Sequence, residues 1–200
     1  MHEPGNQTSG DALAITHGAG SNGEAPLLRS IATEFAAAGY LALRFDLPYR
    51  RARPHGPPFP AQAARDREGI REAVSTLRKL APGRVFAGGH SYGGRQTSMA
   101  AAEDPALADG LLLLSYPLHP PDKPRQLRTE HFDQLRTPAF FAHGTRDPFG
   151  SIEEMRAALA AIPARTELMI VEGAPHGIWP KIAGAILANW TRFIAESSGF

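Results

Sequence analysis

The sequence predicts an α/β chain, with a mostly parallel sheet of about six strands and helices on both faces. Short apolar runs alternate with longer stretches whose apolar residues recur at helical spacing. The run Leu111 to Ser115 carries consecutive leucines, as a strand covered on both faces does. The residues with most chemical potential, Ser91, Asp147 and His176, each stand just after such a run, where ligands gather in sheets of this kind.

Ala12 to Thr16 is the first strand, too short for a helix and ending at His17-Gly18. A helix follows from Pro26 to Ala38, with proline at its first position, glycine after its end, and Leu27, Leu28, Ile31 and Phe35 on one face. Tyr40 to Asp46 is the second strand. Pro48 to Pro60 reads as a proline-rich loop carrying Arg50, Arg51, Arg53 and His55. Ala61 to Leu80 is a helix with Ile70, Val74 and Leu77 inside, stopped by Pro82-Gly83. Arg84 to Gly89 is the third strand, and Tyr92 to Glu103 a helix of small residues. Leu111 to Ser115 is the fourth strand. Pro117 to Arg136 is a connection that accommodates one short helix and is too short for a large lid, so an open, shallow site is expected. Ala139 to His143 is the fifth strand. Ser151 caps a helix running to Ile162, with Glu153 and Glu154 in its first turn. Glu167 to Val171 is the sixth strand, and Lys181 to Glu196 the closing helix. No linker or internal repeat interrupts residues 1–200, which are read as one domain.

Composition removes several classes of function. The 200 residues contain no cysteine, which excludes disulfides, thiolate nucleophiles and sulfur-ligated zinc. The 21 basic and 20 acidic residues give a net charge of +1, against the basic excess expected of a nucleic-acid binder. No run of 18 apolar residues exists to span a membrane. The start, Met1 to Gln7, lacks the basic and apolar runs of a secretory signal, so a cytoplasmic protein is expected. No H-E-x-x-H or phosphate-cradling G-x-x-x-x-G-K-[ST] occurs, so neither a metal nor another cofactor is expected.

Gly89-His90-Ser91-Tyr92-Gly93 matches G-x-S-x-G, with a strand directly before it and a helix directly after. A nucleophilic serine needs a sharp strand-to-helix turn that exposes its hydroxyl, and the flanking glycines let strand and helix approach. It also needs a base and a group to orient that base, and in a fold of this kind the chain order is Ser, Asp or Glu, His. Asp147, after the fifth strand, and His176, after the sixth, meet that order. Of the eight histidines, His176 is the expected base. His90 starts from the turn and points away, His143 reads as a structural partner, and His17 as a brace for a glycine loop. The oxyanion hole is expected from the backbone N–H of Tyr92 and from the loop after the first strand, Ala19 first and Gly20 second. Tyr49, Tyr116 and Phe149 are expected walls of the substrate site, with core packing an equal alternative.

These residues resemble the α/β-hydrolase superfamily, and more closely its small, cap-less branch with dienelactone-hydrolase-like members and proteins similar to testis-expressed and NSL-complex subunit hydrolase-like proteins. The likeness runs from His17 to about Trp190. It is carried by His17-Gly18-Ala19-Gly20, Arg44 to Tyr49, Gly88 to Arg95, Ser115 to Leu118 and His143 to Gly150. It implies an α/β-hydrolase fold with Ser91, Asp147 and His176 as a triad acting on a small-molecule acyl substrate. Dienelactone hydrolases proper use a cysteine nucleophile, so their substrate does not carry over. The antiparallel strands that open many α/β-hydrolases are missing or reduced here.

Two rival readings compete. Gly18-Ala19-Gly20-Ser21-Asn22-Gly23 followed by Asp46 fits a dinucleotide fingerprint, but Pro26 starts the helix late and Glu24 would repel a pyrophosphate. A hydrolase fold used only for interaction is the other; the complete triad argues against it. The arginines of the 48–60 loop read as solvated, with recognition of an acidic ligand as the alternative.

Overall fold

The computed structural model describes residues 1–3 and 9–196. The strands are β1 (Ala12–Thr16), β2 (Leu41–Phe45), β3 (Val85–His90), β4 (Leu111–Leu114), β5 (Ala139–Gly144) and β6 (Thr166–Val171). The helices are α1 (Pro26–Ala37), α2 (Pro48–Ala52), α3 (Ala63–Leu80), α4 (Tyr92–Glu103), α5 (Ile152–Leu159) and α6 (Ala183–Glu196). The sheet order is β2-β1-β3-β4-β5-β6, and every named pair is parallel. β1 and β3 therefore lie side by side, which brings the loops after both to one edge of the sheet.

Strand alternation divides the core in two. Leu111, Leu113 and Phe141 face one way, onto Ile70, Val74 and Leu77 of α3, Ala100 and Ala101 of α4, and Met155 of α5. Leu112, Leu114 and Phe140 face the other way, onto Leu28, Ile31 and Phe35 of α1 and Trp190 and Phe193 of α6. Both layers exclude water, which is why the central strands tolerate unbroken apolar runs.

The expected elements are present with small shifts at their ends. Ser151 caps α5 with a full capping box: its side chain accepts from Glu154 N–H, and the Glu154 carboxylate accepts from Ser151 N–H. The helices expected from Ala61 and Lys181 each open with a 3₁₀ turn, at Pro60–Gln62 and Pro180–Ile182. The 117–136 connection contains one 3₁₀ turn, Phe132–Gln134. The 48–60 segment differs from the expected loop, because Pro48 sits at the first position of the short helix α2. His2 makes an antiparallel bridge to Ala42 at the β2 edge. Of the N-terminal stretch read for a leader, residues 4–7 lie outside the described residues. Among the described residues no helix is long and apolar enough to cross a membrane.

Candidate active site

The turn after β3 has the shape that the motif requires. Ser91 lies at φ 51° and ψ −116°, a strained region for a side-chain-bearing residue. Its N–H donates to Leu114 O of β4 at 2.8 Å, which fixes the turn to the sheet. A Cβ on Gly93 would stand 2.5 Å from the carbonyl oxygen of His17, so only glycine lets α4 approach the end of β1. The first intrahelical bond runs from Arg95 N–H to Ser91 O, leaving the Tyr92 N–H ahead of it at the positive end of the helix.

The structure brings Ser91, His176 and Asp147 together. His176 Nε2 lies 2.7 Å from Ser91 Oγ, and His176 Nδ1 lies 3.0 and 2.9 Å from the two carboxylate oxygens of Asp147. An ionised carboxylate only accepts, so Nδ1 carries the proton and Nε2 is left to accept from the serine hydroxyl. The Asp147 side chain is fully buried, whereas that of His176 keeps 21% of its surface exposed. Phe149 N–H donates to Asp147 Oδ1 at 2.9 Å, and the Phe149 ring stacks 4.1 Å from the imidazole.

Three other histidines hold the loops around the site. His90 turns away from the elbow, and its Nε2–H donates to His176 O at 3.0 Å. His143 Nε2–H donates to Gly150 O at 2.8 Å, closing the loop that carries Asp147. His17 accepts from Leu47 N–H at Nε2 and donates from Nδ1 to Gly18 O, bracing the glycine loop.

A second serine–histidine pair lies deeper. Ser98 Oγ is 2.8 Å from His131 Nε2 and fully buried. Its hydroxyl donates to Arg95 O, so His131 donates to Ser98 rather than drawing a proton from it. His131 Nδ1 has no partner to orient it, which makes this pair a packing contact.

Burial holds His90 at a pKa of about 4, and burial together with the nearby Arg95 charge does the same for His131. In the unfolded chain both take a proton near 6.5. Between those values the unfolded chain binds more protons, so stability falls as pH drops from about 6.5 to about 4. The loss should reach about 2–3 kcal/mol per histidine. Urea unfolding at pH 7 and pH 4.5 measures it, and equal stability at the two pH values would contradict this account.

The loop after β1 is held from behind by side chains that sequence reasoning placed elsewhere. Tyr49 is buried, and its hydroxyl lies 2.9 Å from Ala19 O and 3.3 Å from Gly18 O. Arg50, expected in a solvated loop, is also buried; it donates to the carbonyls of Ala19, Ser21, Arg53, Pro54 and Gly56. A trans peptide directs its N–H opposite to its carbonyl. Anchoring Gly18 O and Ala19 O on the inner side therefore turns the N–H groups of Ala19 and Gly20 outward. Gly18 itself packs against Ser91: a Cβ on it would stand 3.4 Å from Ser91 Cβ. Replacing Arg50 by methionine removes its bonds to the carbonyls of Ala19, Ser21, Arg53, Pro54 and Gly56. It should lower stability by about 2–4 kcal/mol and any ester turnover by roughly tenfold or more. Chemical denaturation and steady-state kinetics check both effects.

A cavity of about 530 Å³ opens beside Ser91, a size typical of small-ligand clefts. Ala19, Tyr92 and Phe149 line it, while Tyr49, Tyr116 and Gly20 do not. The two tyrosines stand one layer behind the walls. Their rings pack in the core, and their hydroxyls hold wall residues: Tyr49 holds Ala19, and Tyr116 donates to Arg128 O at 2.7 Å. The remaining walls come from Pro57–Pro60, from Arg95, Gln96 and Met99 of α4, and from Pro117 and Arg128, none of which the sequence singled out as a wall. The acid of the dinucleotide reading is engaged, since Asp46 Oδ1 accepts from Gly23 N–H at 2.6 Å.

Comparison with known proteins gives the same architecture. Est1E from Butyrivibrio proteoclasticus aligns at a TM-score of 0.73 and 17% identity, over 96% of this chain and 92% of that one. A dienelactone hydrolase from Anabaena variabilis aligns at 0.70 and 21%, over 94% and 86%. An alpha-beta serine hydrolase homologue from Coxiella burnetii aligns at 0.72 and 15%, over 97% and 88%. Residues 9–197 match the alpha/beta hydrolase domain family, so the chain belongs to that family.

Proposed function

We propose that the protein is a serine hydrolase that cleaves small esters, thioesters or lactones through an acyl-enzyme. The observation that carries this reading is the continuous chain of hydrogen bonds from Ser91 Oγ through His176 to Asp147. His176 Nε2 takes the hydroxyl proton as Ser91 Oγ bonds to the acyl carbon. The carbonyl oxygen becomes an oxyanion and accepts from the N–H of Tyr92 and of the Ala19 loop. As the oxyanion collapses, His176 gives its proton to the leaving oxygen or sulfur. Water, deprotonated by the same imidazole, then releases the acid and restores Ser91. Asp147 keeps the imidazole in its working tautomer and balances its transient positive charge.

The small, cap-less, dienelactone-hydrolase-like branch is the part of the family this reading favours, with residues 1–200 as one domain. Small acyl substrates are in keeping with the cavity volume of about 530 Å³. Est1E was itself solved with ferulic acid bound. A fluorophosphonate probe should label Ser91 in the folded protein and leave Ser91→Ala unlabelled. A series of p-nitrophenyl esters of increasing chain length then gives the acyl preference. Folded protein that takes no label would point instead to a hydrolase fold used for interaction.

A further inference from the structure

The cavity beside Ser91 has a charge pattern that ester chemistry does not require. Its walls include Arg95 and Arg128 but, among the described residues, no aspartate or glutamate. The acids around it are engaged or exposed. Asp147 holds His176, Asp66 accepts from Tyr49 N–H and Tyr92 O–H, and Glu103 pairs with Arg67 and Arg71. Glu130 is exposed. Arg95 Nε is buried without a hydrogen-bond partner, and the side-chain contact of Arg128 is a long one of 3.4 Å to Pro117 O. Burial and the neighbouring Arg95 charge also lower the Arg128 pKa, outweighing the opposing influence of Glu130.

Both groups are held ready. Arg95 lies in the first turn of α4, four residues after Ser91, and both line the cavity. Arg128 is fixed at both ends of its residue: its N–H donates to Leu118 O at 2.8 Å, and its carbonyl accepts from Tyr116. Phe59, Met99 and Phe149 supply apolar wall nearby. Forked guanidinium donors match the two oxygens of a carboxylate.

Resting on the serine hydrolase reading, the geometry points to a substrate that carries a free carboxylate besides its scissile carbonyl, both within the one cavity that Ser91, Arg95 and Arg128 line. The substrate is a monoester of a short dicarboxylic acid. Its free carboxylate is held by Arg95 and Arg128, and its methylene spacer lies on the apolar wall.

The test compares mono-p-nitrophenyl adipate with p-nitrophenyl hexanoate, two esters of equal acyl length, after subtraction of spontaneous hydrolysis. In the unaltered protein kcat/KM should favour the adipate roughly ten- to hundredfold, the range of a charge-assisted contact. The ratio should collapse toward one in Arg95→Gln and in Arg128→Gln, with fluorophosphonate labelling of Ser91 reporting that each variant is folded. A ratio at or below one in the unaltered protein, or an unchanged ratio in both variants, overturns the proposal. A second arm needs no turnover. Ser91→Ala protein is titrated calorimetrically with monomethyl adipate and with methyl hexanoate. Binding of the acid alone, lost when Arg95→Gln is added, supports the anion site; equal binding or none overturns it. If neither p-nitrophenyl ester turns over and no label is taken, the hydrolase reading falls, and the calorimetry still decides whether the carboxylate is bound.

Discussion

On the proposed function, Ser91→Ala should reduce p-nitrophenyl acetate turnover to background, a drop of about 10⁴–10⁶ in kcat by the precedent of serine hydrolases. The substitution removes one oxygen and leaves the rest in place. Alanine keeps the Cβ, so the backbone at φ 51° is no more strained than before. His176 loses its partner at Nε2, but its side chain is 21% exposed and water can replace the hydroxyl. Stability should therefore change by less than about 1 kcal/mol. Loss of rate with an unchanged melting curve is the expected pair of results. Undiminished turnover by the variant would mean that another group attacks the acyl carbon.

Asp147→Asn should lower kcat by about 10⁴, the size of the effect when this substitution is made in serine hydrolase triads. The carboxylate accepts from Phe149 N–H at Oδ1 and from His176 Nδ1. An asparagine amide can keep the Phe149 bond only by turning its NH₂ toward the imidazole. Two donors cannot face each other, so the imidazole shifts its proton to Nε2. That nitrogen then donates to Ser91 Oγ and can no longer accept its proton. Single-turnover measurement of acylation reads the effect directly. A fall of less than about tenfold would show that the imidazole keeps its proton on Nδ1 without the carboxylate.

Much of this site could be read from the chain because its parts sit at the ends of strongly patterned elements. The apolar runs mark six strands, and Ser91, Asp147 and His176 follow three of them directly. Arg50 was illegible for a physical reason. Helix α2 has five residues, fewer than two turns, so it shows no periodicity, and charged arginines are seldom buried without a charged partner. Tyr49 and Tyr116 could be read either way, because a tyrosine can line a pocket or fill a core while its hydroxyl finds a carbonyl, and composition does not distinguish the two. The cavity walls depend on how residues 57–60, α4 and Arg128 meet in space. No spacing along the chain encodes that meeting.

Arg50 contributes more than anchorage. Its hydrogen-bond partners are neutral backbone dipoles, so its full positive charge survives within the fold. That charge draws electron density along the Ala19 and Ser21 peptide groups and sharpens the acidity of the amides at their far ends. The resulting electric field is in place before a substrate arrives, so no dipole has to reorient when negative charge appears on the acyl oxygen. Arg50→Lys, which keeps a cation but cannot span the same carbonyls, should therefore retain part of the rate that Arg50→Met loses.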